Sequence, residues 1–244
     1  MMKKIFLVFL TFMFCLHGAK SQEQVTKFGI FDHLSAGLTL GTSGIGIDIA
    51  TSVTEHVQVR AGYSFIPKFT YKTDVGYKMK GTSHQTEIEG KLSWGNAKLL
   101  VDVYPFKNSS LHATIGAYIG TDGIVTAQNN TPITGLDPGE GLEIADYIIS
   151  PDENGIAKAS IKVASFKPYL GIGIGRAVPR GRFCVSGDLG MQFWGEPAVY
   201  KKQSGEDVKL KSQDLNGHDG GLIKTLSKVT VYPVMTIRVS GRIL

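Results

Sequence analysis

Residues 57–65, with the sequence VQVRAGYSF, alternate between two kinds of side chain. The odd positions are apolar or aromatic, and the even positions are polar or glycine. A period of two is typical of a β-strand, whose successive side chains point to opposite faces. The same alternation recurs in seven further segments: 34–41, 45–53, 98–104, 111–119, 170–175, 183–193 and 229–243. The sequence therefore predicts eight strands of roughly ten residues, the length that a tilted strand needs to cross a bilayer.

The composition agrees with an all-β chain. Of the 244 residues, 30 are glycine, which weakens helices, and only 19% are charged. An ordinary proline content and 42% hydrophobic residues exclude collagen-like and disordered classes. After residue 21 no apolar run is long enough for a membrane-spanning helix. One all-β domain can account for a chain of this length.

The N-terminal segment is typical of an export signal. Lys3 and Lys4 precede the apolar residues 5–16, and Ala19-Lys20-Ser21 supplies small residues at a cleavage site. We expect a cleaved signal peptide at 1–21, a lead-in at 22–33 and the barrel at 34–244. A lipoprotein anchored through Cys15 is the alternative, and the bulky Met13 and Phe14 before it disfavour that interpretation.

Cleavage would change both the charge and the cysteine count. Removing Lys3, Lys4 and Lys20 lowers the net charge from +5 to +2, so a nucleic-acid partner loses its main support. Cys184 would remain alone and could form no internal disulfide. We expect Cys184 to face the lumen as a small buried filler.

The connections between the predicted strands sort by length. Short turns at 54–56, 107–110 and 177–181 fall on one side, whereas 67–96, 121–166 and 195–228 are long and fall on the other, together with the short 42–44. This asymmetry is typical of outer-membrane barrels. Within the long connections, residues 144–149 and 156–163 predict a hairpin, and 71–80 and 87–94 extend neighbouring strands.

The two strand faces also differ in chemistry. One face is aliphatic or aromatic, and the other carries Gly, Ser and Thr together with six charged residues. A water-exposed face would normally carry many Lys and Glu, so we expect the polar face to line a narrow lumen. Its charges could pair there, either as a structural cluster that fills the interior or as the lining of a pore. The six residues are Asp48, Arg60, Asp102, Asp188, Arg238 and Arg242.

Aromatic residues near the strand ends predict interfacial girdles. Phe65, Tyr169, Trp194 and Tyr232 would form the girdle on the long-loop side, and Tyr104, Phe106 and Phe183 the girdle on the other side.

Several stretches carry a family resemblance: 52–63, 101–106, 166–176 and the terminal strand 231–234. On these the chain resembles small single-domain outer-membrane β-barrel proteins, most closely Bacteroidetes β-barrel or porin-family proteins of unassigned role. The resemblance covers most of 34–244 and implies location and fold, while leaving the molecular role open. Such barrels usually end in an aromatic residue read by the assembly machinery, whereas this chain ends in Leu244.

Other chemistries find little support. Gly171, Gly173 and Gly175 lack the third glycine and the helix of a dinucleotide loop. The histidines are scattered without the spacing of a zinc site. Asp214, Asn216 and Asp219, beside His218, form a weak calcium candidate that misses the EF-hand spacing.

A hydrolytic site is also disfavoured. Some eight-stranded barrels modify lipids with a Ser and a His near the outer rim. Here Ser186 lies mid-strand near Asp188, and His112 falls at the opposite end, so we expect no triad and no enzyme.

These patterns predict an all-β, eight-stranded antiparallel up-and-down transmembrane β-barrel in the outer membrane of a Gram-negative bacterium. Its role would be structural or surface-interactive, or that of a narrow channel for small solutes, and a secreted soluble barrel with an apolar ligand is a second alternative. We expect no cofactor, a monomer, outer-membrane lipid and the barrel-assembly machinery as partners, and an extracellular ligand through 67–96, 121–166 or 195–228.

Overall fold

The computed structural model describes residues 32–79, 82–106, 109–136, 140–144, 147–203, 206–210 and 228–243. In these residues the chain is all-β. The strands are β1 (Leu34–Gly41), β2 (Gly44–Ser52), β3 (Val57–Met79), β4 (Thr82–Val103), β5 (Leu111–Gly120), β6 (Gly123–Asn129), β7 (Leu142–Ile144), β8 (Tyr147–Ile149), β9 (Lys158–Lys162), β10 (Phe166–Ile174), β11 (Phe183–Phe193), β12 (Ala198–Gln203), β13 (Glu206–Lys209) and β14 (Val231–Arg242). The expected signal peptide at 1–21 and most of the lead-in lie outside the described residues.

Eight of these strands close into an antiparallel barrel, as predicted. The order around the barrel is β1, β2, β3, β4, β5, β10, β11 and β14, and β14 pairs back with β1. The register of the closing pair places Leu38 opposite Val239 and Thr39 opposite Arg238. Because side chains alternate along a strand, this register puts the apolar members of both strands on one face.

The barrel is inside-out with respect to a water-soluble protein. The apolar side chains of its strands point outward, and Leu38, Ile172 and Ile115 are 66%, 61% and 59% exposed. The alternating positions are buried and polar, as Thr39, Asp48 and Ser186 show. A continuous exposed apolar surface of this kind is typical of a face that contacts lipid.

The connections at the two ends of the barrel differ in length. We call the end with short connections, at 53–56, 104–110 and 175–182, the turn end, and the opposite end the extension end. At the extension end, β3 and β4 continue as a hairpin past the barrel, over residues 66–79 of β3 and 82–95 of β4. The pairing is irregular between Ile66 and Phe69, where Pro67 offers no backbone N–H.

The hairpin formed by β3 and β4 pairs with further strands, and we call this part of the continuous sheet the extension sheet. β6 pairs with β4, and β9, β12 and β13 follow in that order, while β7 and β8 pair beside the tip of β3. The predicted hairpin between 144–149 and 156–163 is wrong, because β8 pairs with β7, and β9 lies between β6 and β12. Pairing with strands from other connections therefore replaces the local hairpin.

The extension sheet has its own apolar core. Ile88 of β4 packs there with Leu142, Ile149 and Val199, all of which are at least 93% buried. Lys162 of β9 adds an ion pair with Asp207 of β13 at 2.6 Å, and this hydrogen bond raises the pKa of Lys162. The projecting connections are therefore a packed structure at the extension end rather than separate loops.

The described part of the chain contains no helix long and apolar enough to cross a membrane.

Replacing Ile172 by arginine tests the outward orientation of the apolar face. An arginine near the bilayer midplane of a barrel costs about 2–4 kcal/mol. We therefore expect Ile172→Arg to lower the free energy of unfolding by about that amount, as measured by urea titration of protein folded into vesicles. The control is Val208→Arg in the extension sheet, where the exposed side chain should change stability by less than about 0.5 kcal/mol. Equal small effects at both positions would mean that the barrel face is in water.

Candidate functional site in the barrel interior

The turn-end half of the lumen holds a cluster of ion pairs around Arg60. Its Nη2 donates to Asp102 Oδ1 at 2.7 Å, and its Nη1 donates to Asp188 Oδ2 at 2.9 Å. His112 Nε2 lies 2.8 Å from Asp188 Oδ1, and the Thr114 hydroxyl donates to Asp102 Oδ1 at 2.8 Å. Four strands, β3, β4, β5 and β11, supply these groups. One guanidinium thus holds two carboxylates from different walls of the barrel.

A second cluster centres on Asp48 of β2. Arg238 Nε donates to Asp48 Oδ1 at 2.6 Å, and Lys98 Nζ lies 3.1 Å from Asp48 Oδ2. Arg238 Nη1 also donates to the Ala177 carbonyl at 2.6 Å. The side chains of Asp48 and Arg238 are fully buried. This cluster joins β2, β4 and β14 across the lumen.

The two clusters together form what we call the charge layer. It contains three aspartates and three basic side chains: Arg60, Lys98 and Arg238. The formal charges of these six groups balance. Balance matters because an unpaired ion in so dry an interior is strongly disfavoured. The charge layer is therefore suited to holding the strands together through the centre of the barrel.

The glycines of the lumen wall make room for these long side chains. A Cβ on Gly37 would stand 2.5 Å from Arg238 Nε, and a Cβ on Gly173 would stand 2.5 Å from His112 Nε2. Contacts that short require the neighbouring group to move. The glycine-rich alternation of β10 thus reflects the lack of space opposite the charge layer.

The connection between β10 and β11 closes the lumen at the turn end. Ala177 and Val178 are 2% and 0% exposed and lie inside the barrel mouth. The Ala177 N–H donates to the Tyr104 hydroxyl at 3.1 Å, and the Val178 N–H donates to Gln58 Oε1 at 2.9 Å. The Ser35 hydroxyl donates to the Ala177 carbonyl at 2.7 Å. We call Ala177 and Val178 the plug.

A group of larger side chains packs in the lumen next to the charge layer. Tyr118 and Tyr169 meet edge to face, with ring centroids 5.4 Å apart, and Leu100 and Val234 complete the group. All four side chains are at least 96% buried. We call this group the aromatic layer, and it adds a hydrocarbon-rich part to the lumen beside its ionic one.

Aromatic and amide groups occupy the extension-end mouth. Lys167 Nζ donates to Asn96 Oδ1 at 2.8 Å and lies 5.1 Å from the ring centre of Trp94. Trp94, Trp194 and Tyr232 pack against one another at tilted angles, with centroids 4.9–5.7 Å apart. We call these three rings the mouth cluster. The plug and the mouth cluster therefore lie at opposite ends of the lumen, with the charge layer and the aromatic layer between them.

The structure brings five of the six predicted lumen charges into the charge layer: Asp48, Arg60, Asp102, Asp188 and Arg238. Arg242 lies apart, half-buried at the turn end, where its Nη1 donates to the Arg180 carbonyl at 3.1 Å. The sequence prediction omitted Lys98 and His112, although both occupy inward positions of their strands. The alternation along β4 and β5 predicts that both side chains face the lumen. Their ion-pair and hydrogen-bond partners depend on how the strands pair around the barrel.

The weak calcium candidate, Asp214, Asn216 and Asp219, lies outside the described residues. A different set, Asp102, His112 and Asp188, offers three ligand atoms within 4.8 Å of one another. Arg60 already takes the cation position between the two carboxylates. The geometry favours an ion-paired structure there over a metal centre.

Ser186 and His112, the two residues considered for a hydrolytic site, are not joined by a hydrogen bond in the described residues. His112 Nε2 faces Asp188, and its Nδ1 lies 3.2 Å from the Ser110 carbonyl. Both ring nitrogens are therefore engaged, and the Ser186 hydroxyl, although buried, makes no hydrogen bond to the described residues.

The girdle prediction is wrong for four of its seven residues. Tyr104 and Tyr169 are 0% and 3% exposed and point into the lumen, because they share parity with the polar positions of their strands. Trp194 and Tyr232 belong to the mouth cluster. The remaining three are exposed on the outside: Phe65, Phe106 and Phe183.

Cys184 was expected to be buried and is instead half-buried at the turn end. Its Sγ lies 3.5 Å from the neighbouring Val185 carbonyl. It occupies an inward position of β11, but one close to the rim of the barrel.

Comparisons with known proteins were made for sequence and for structure. No protein-family model and no curated protein matches the chain. Among solved structures, 86% of the chain aligns with 98% of Acinetobacter baumannii CarO2 at 19% identity and a TM-score of 0.47. For A. baumannii CarO, 85% of this chain aligns with 96% of that one at 19% identity and a TM-score of 0.46. A major outer membrane protein of Thermus thermophilus aligns over 86% and 97% of the two chains, at 14% identity and a TM-score of 0.34.

Similarities of this size do not bear on a ligand or an activity. A closed eight-stranded barrel with an outward apolar belt is the architecture of an outer-membrane β-barrel. The Bacteroidetes lineage suggested by the resemblance stays a prediction.

Replacing Arg60 by methionine tests the charge layer. The change leaves two buried carboxylates without their shared cation, and breaking a buried pair in this way costs about 3–5 kcal/mol. We expect the urea-unfolding free energy of the vesicle-folded protein to fall by that amount. Arg242→Met is the matched control, because Arg242 is only half-buried and binds one carbonyl, and it should change stability by less than about 1 kcal/mol. A similar loss in both variants would contradict a special role for the buried ions.

Adding one methyl group at Gly173 tests the packing of the lumen. The new Cβ of Gly173→Ala would collide with His112 Nε2 and lie 2.6 Å from Asp188 Oδ1, so we expect a loss of about 1–3 kcal/mol from overpacking. Gly76→Ala in the extension sheet is the control, since the nearest atom to its new Cβ would be 3.8 Å away. The same urea titration checks both variants, and a neutral Gly173→Ala would mean that the lumen has room to spare.

Proposed function

We propose that this protein is an integral outer-membrane barrel with a lumen closed by its own side chains, which anchors a packed sheet at the cell surface. The observation that carries this proposal is the occupied lumen. The plug, the charge layer and the aromatic layer are all buried inside an eight-stranded barrel, whose interior is only wide enough for side chains.

The outward face supports placement in a membrane. Its exposed side chains are aliphatic or aromatic, and a belt of this kind is typical of contact with hydrocarbon. The short connections at the turn end fit the periplasmic side, and the extension sheet fits the cell exterior. Export, insertion by the barrel-assembly machinery and a monomeric state complete the proposal.

The role of the extension sheet is surface interaction, without catalysis. A sheet with a buried core presents its outer residues in fixed positions, as a binding surface requires. Its exposed strand β13, with the sequence EDVK, carries both acidic and basic groups. We propose that an extracellular ligand binds through this sheet.

Conductance measurements separate a closed barrel from a channel. We expect the purified full-length protein in planar bilayers to give no steady current above that of the bare bilayer, because the lumen is occupied. A channel would instead show discrete steps that change in Asp102→Asn or Arg238→Gln. Such steps would contradict the closed lumen and support the solute path.

Labelling of single cysteines in intact cells tests the orientation. In a Cys184→Ser background, a membrane-impermeant maleimide should label Lys209→Cys in β13, and should label Ser110→Cys at the turn end only after the cells are broken. Each variant should be recovered in the outer-membrane fraction and migrate differently on gels before and after boiling. A soluble protein whose migration ignores heating would support the secreted alternative, in which the apolar face surrounds a ligand.

A further inference from the structure

A groove of about 660 Å³ crosses the outer surface of the barrel near the turn end. It lies where β14, β1, β2 and β3 run side by side. Its floor is formed by the small residues Ala36 and Gly241, which stand opposite each other. Ile49, which pairs with both Ala36 and Ala61, is 56% exposed and rises between those two alanines. Larger neighbours such as Leu38, Tyr63 and Phe183 surround this floor.

The groove lies within the apolar belt and its exposed lining is nearly all hydrocarbon. Leu38 is 66% exposed and Phe183 is 79% exposed, so most of the surface of these wall residues is not covered by the rest of the protein. Asp48 of the charge layer is among the lining residues, but its side chain is fully buried, and no residue of the extension sheet lines the groove. A volume of this size is typical of a site that accepts an elongated small molecule.

An exposed cationic residue lies beside the groove at the turn end. Arg182 directly precedes the wall residue Phe183, whereas Arg242 is half-buried and its guanidinium donates to the Arg180 carbonyl. The Arg242 N–H donates to the Arg182 carbonyl at 2.9 Å, so the two backbones are in contact. A guanidinium matches a phosphate with two parallel hydrogen bonds. The end of the groove that faces the membrane surface therefore carries positive charge.

We propose that this groove binds an anionic phospholipid, with an acyl chain over Ala36 and Gly241 and the phosphate beside Arg182. An apolar slot that ends at a cationic rim matches the two parts of such a lipid. A second copy of this chain is a poorer occupant, since a two-fold interface would bring the same arginines of both copies together. The inference rests on the proposed membrane location.

Lipid retention measures this binding. The full-length protein is folded into vesicles of phosphatidylcholine and phosphatidylglycerol, released in mild detergent, and its retained lipids are counted by native mass spectrometry. We expect wild type to retain phosphatidylglycerol in preference to phosphatidylcholine. Arg182→Gln should lower that preference about fivefold, the effect of one basic residue at a membrane surface.

Variants of the groove floor test the apolar part of the site separately from the charge of Arg182. Ala36→Leu fills the floor and should abolish retention of either lipid, and Ala61→Leu provides a second variant with the same expected result. Ala113→Leu is the matched control, because Ala113 faces outward on β5, away from the groove, and it should retain lipid as wild type does. Lys68→Gln, at the extension end, controls for the loss of one charge. Heat-dependent migration verifies that each variant is folded.

Equal retention of the two lipids by wild type, or equal behaviour of Ala36→Leu and Ala113→Leu, would overturn the proposal. A wild-type dimer that Ala36→Leu dissociates would overturn it in favour of a second copy. Failure of wild type to enter vesicles would instead overturn the membrane location. The two proposals therefore fail in different ways.

Discussion

The interior of this barrel depends on the pairing of Arg60 with Asp102 and Asp188. A narrow lumen removes these ions from water, and three donor–acceptor contacts of 2.7–3.1 Å replace the lost hydration. Because the three residues come from β3, β4 and β11, the same contacts fix the distance across the lumen between β11 and the neighbouring strands β3 and β4. The Asp48 cluster does this for β2, β4 and β14.

Two further features follow from that requirement. Long charged side chains need space on the facing wall, and Gly37 and Gly173 provide it, since a methyl group there would overlap Arg238 or His112. The plug also serves the charge layer, because the Ala177 carbonyl accepts from Arg238 at 2.6 Å. Closure of the lumen is thus part of how the buried charges are satisfied. The extension sheet, with its separate apolar core, can vary without disturbing this arrangement.

Alternation along single strands predicts much of this fold. At positions such as Leu38 and Thr39, the residue type alone indicates which face of the strand the side chain occupies. Eight strands, the closed barrel and its outward apolar face could therefore be predicted. Interactions between side chains of different strands could not be predicted in this way. The partners of Lys98 and His112 depend on the stagger around the barrel, and β9 pairs with β6 and β12 in place of a neighbour in sequence. Tyr104 and Tyr169 lie near strand ends, where girdle residues are expected. They face the lumen because they alternate in step with the polar residues of their strands.

The central claim is that the aliphatic face contacts lipid while the charges lie inside. Spin labels at Ile115→Cys and Leu189→Cys, in a Cys184→Ser background and in vesicles, test it most directly. The account predicts that both labels are reached readily by dissolved oxygen and poorly by a water-soluble nickel complex, with the reverse at Lys209→Cys in the extension sheet. Ready access of the nickel complex to Ile115 and Leu189 would place this face in water and contradict the inside-out barrel.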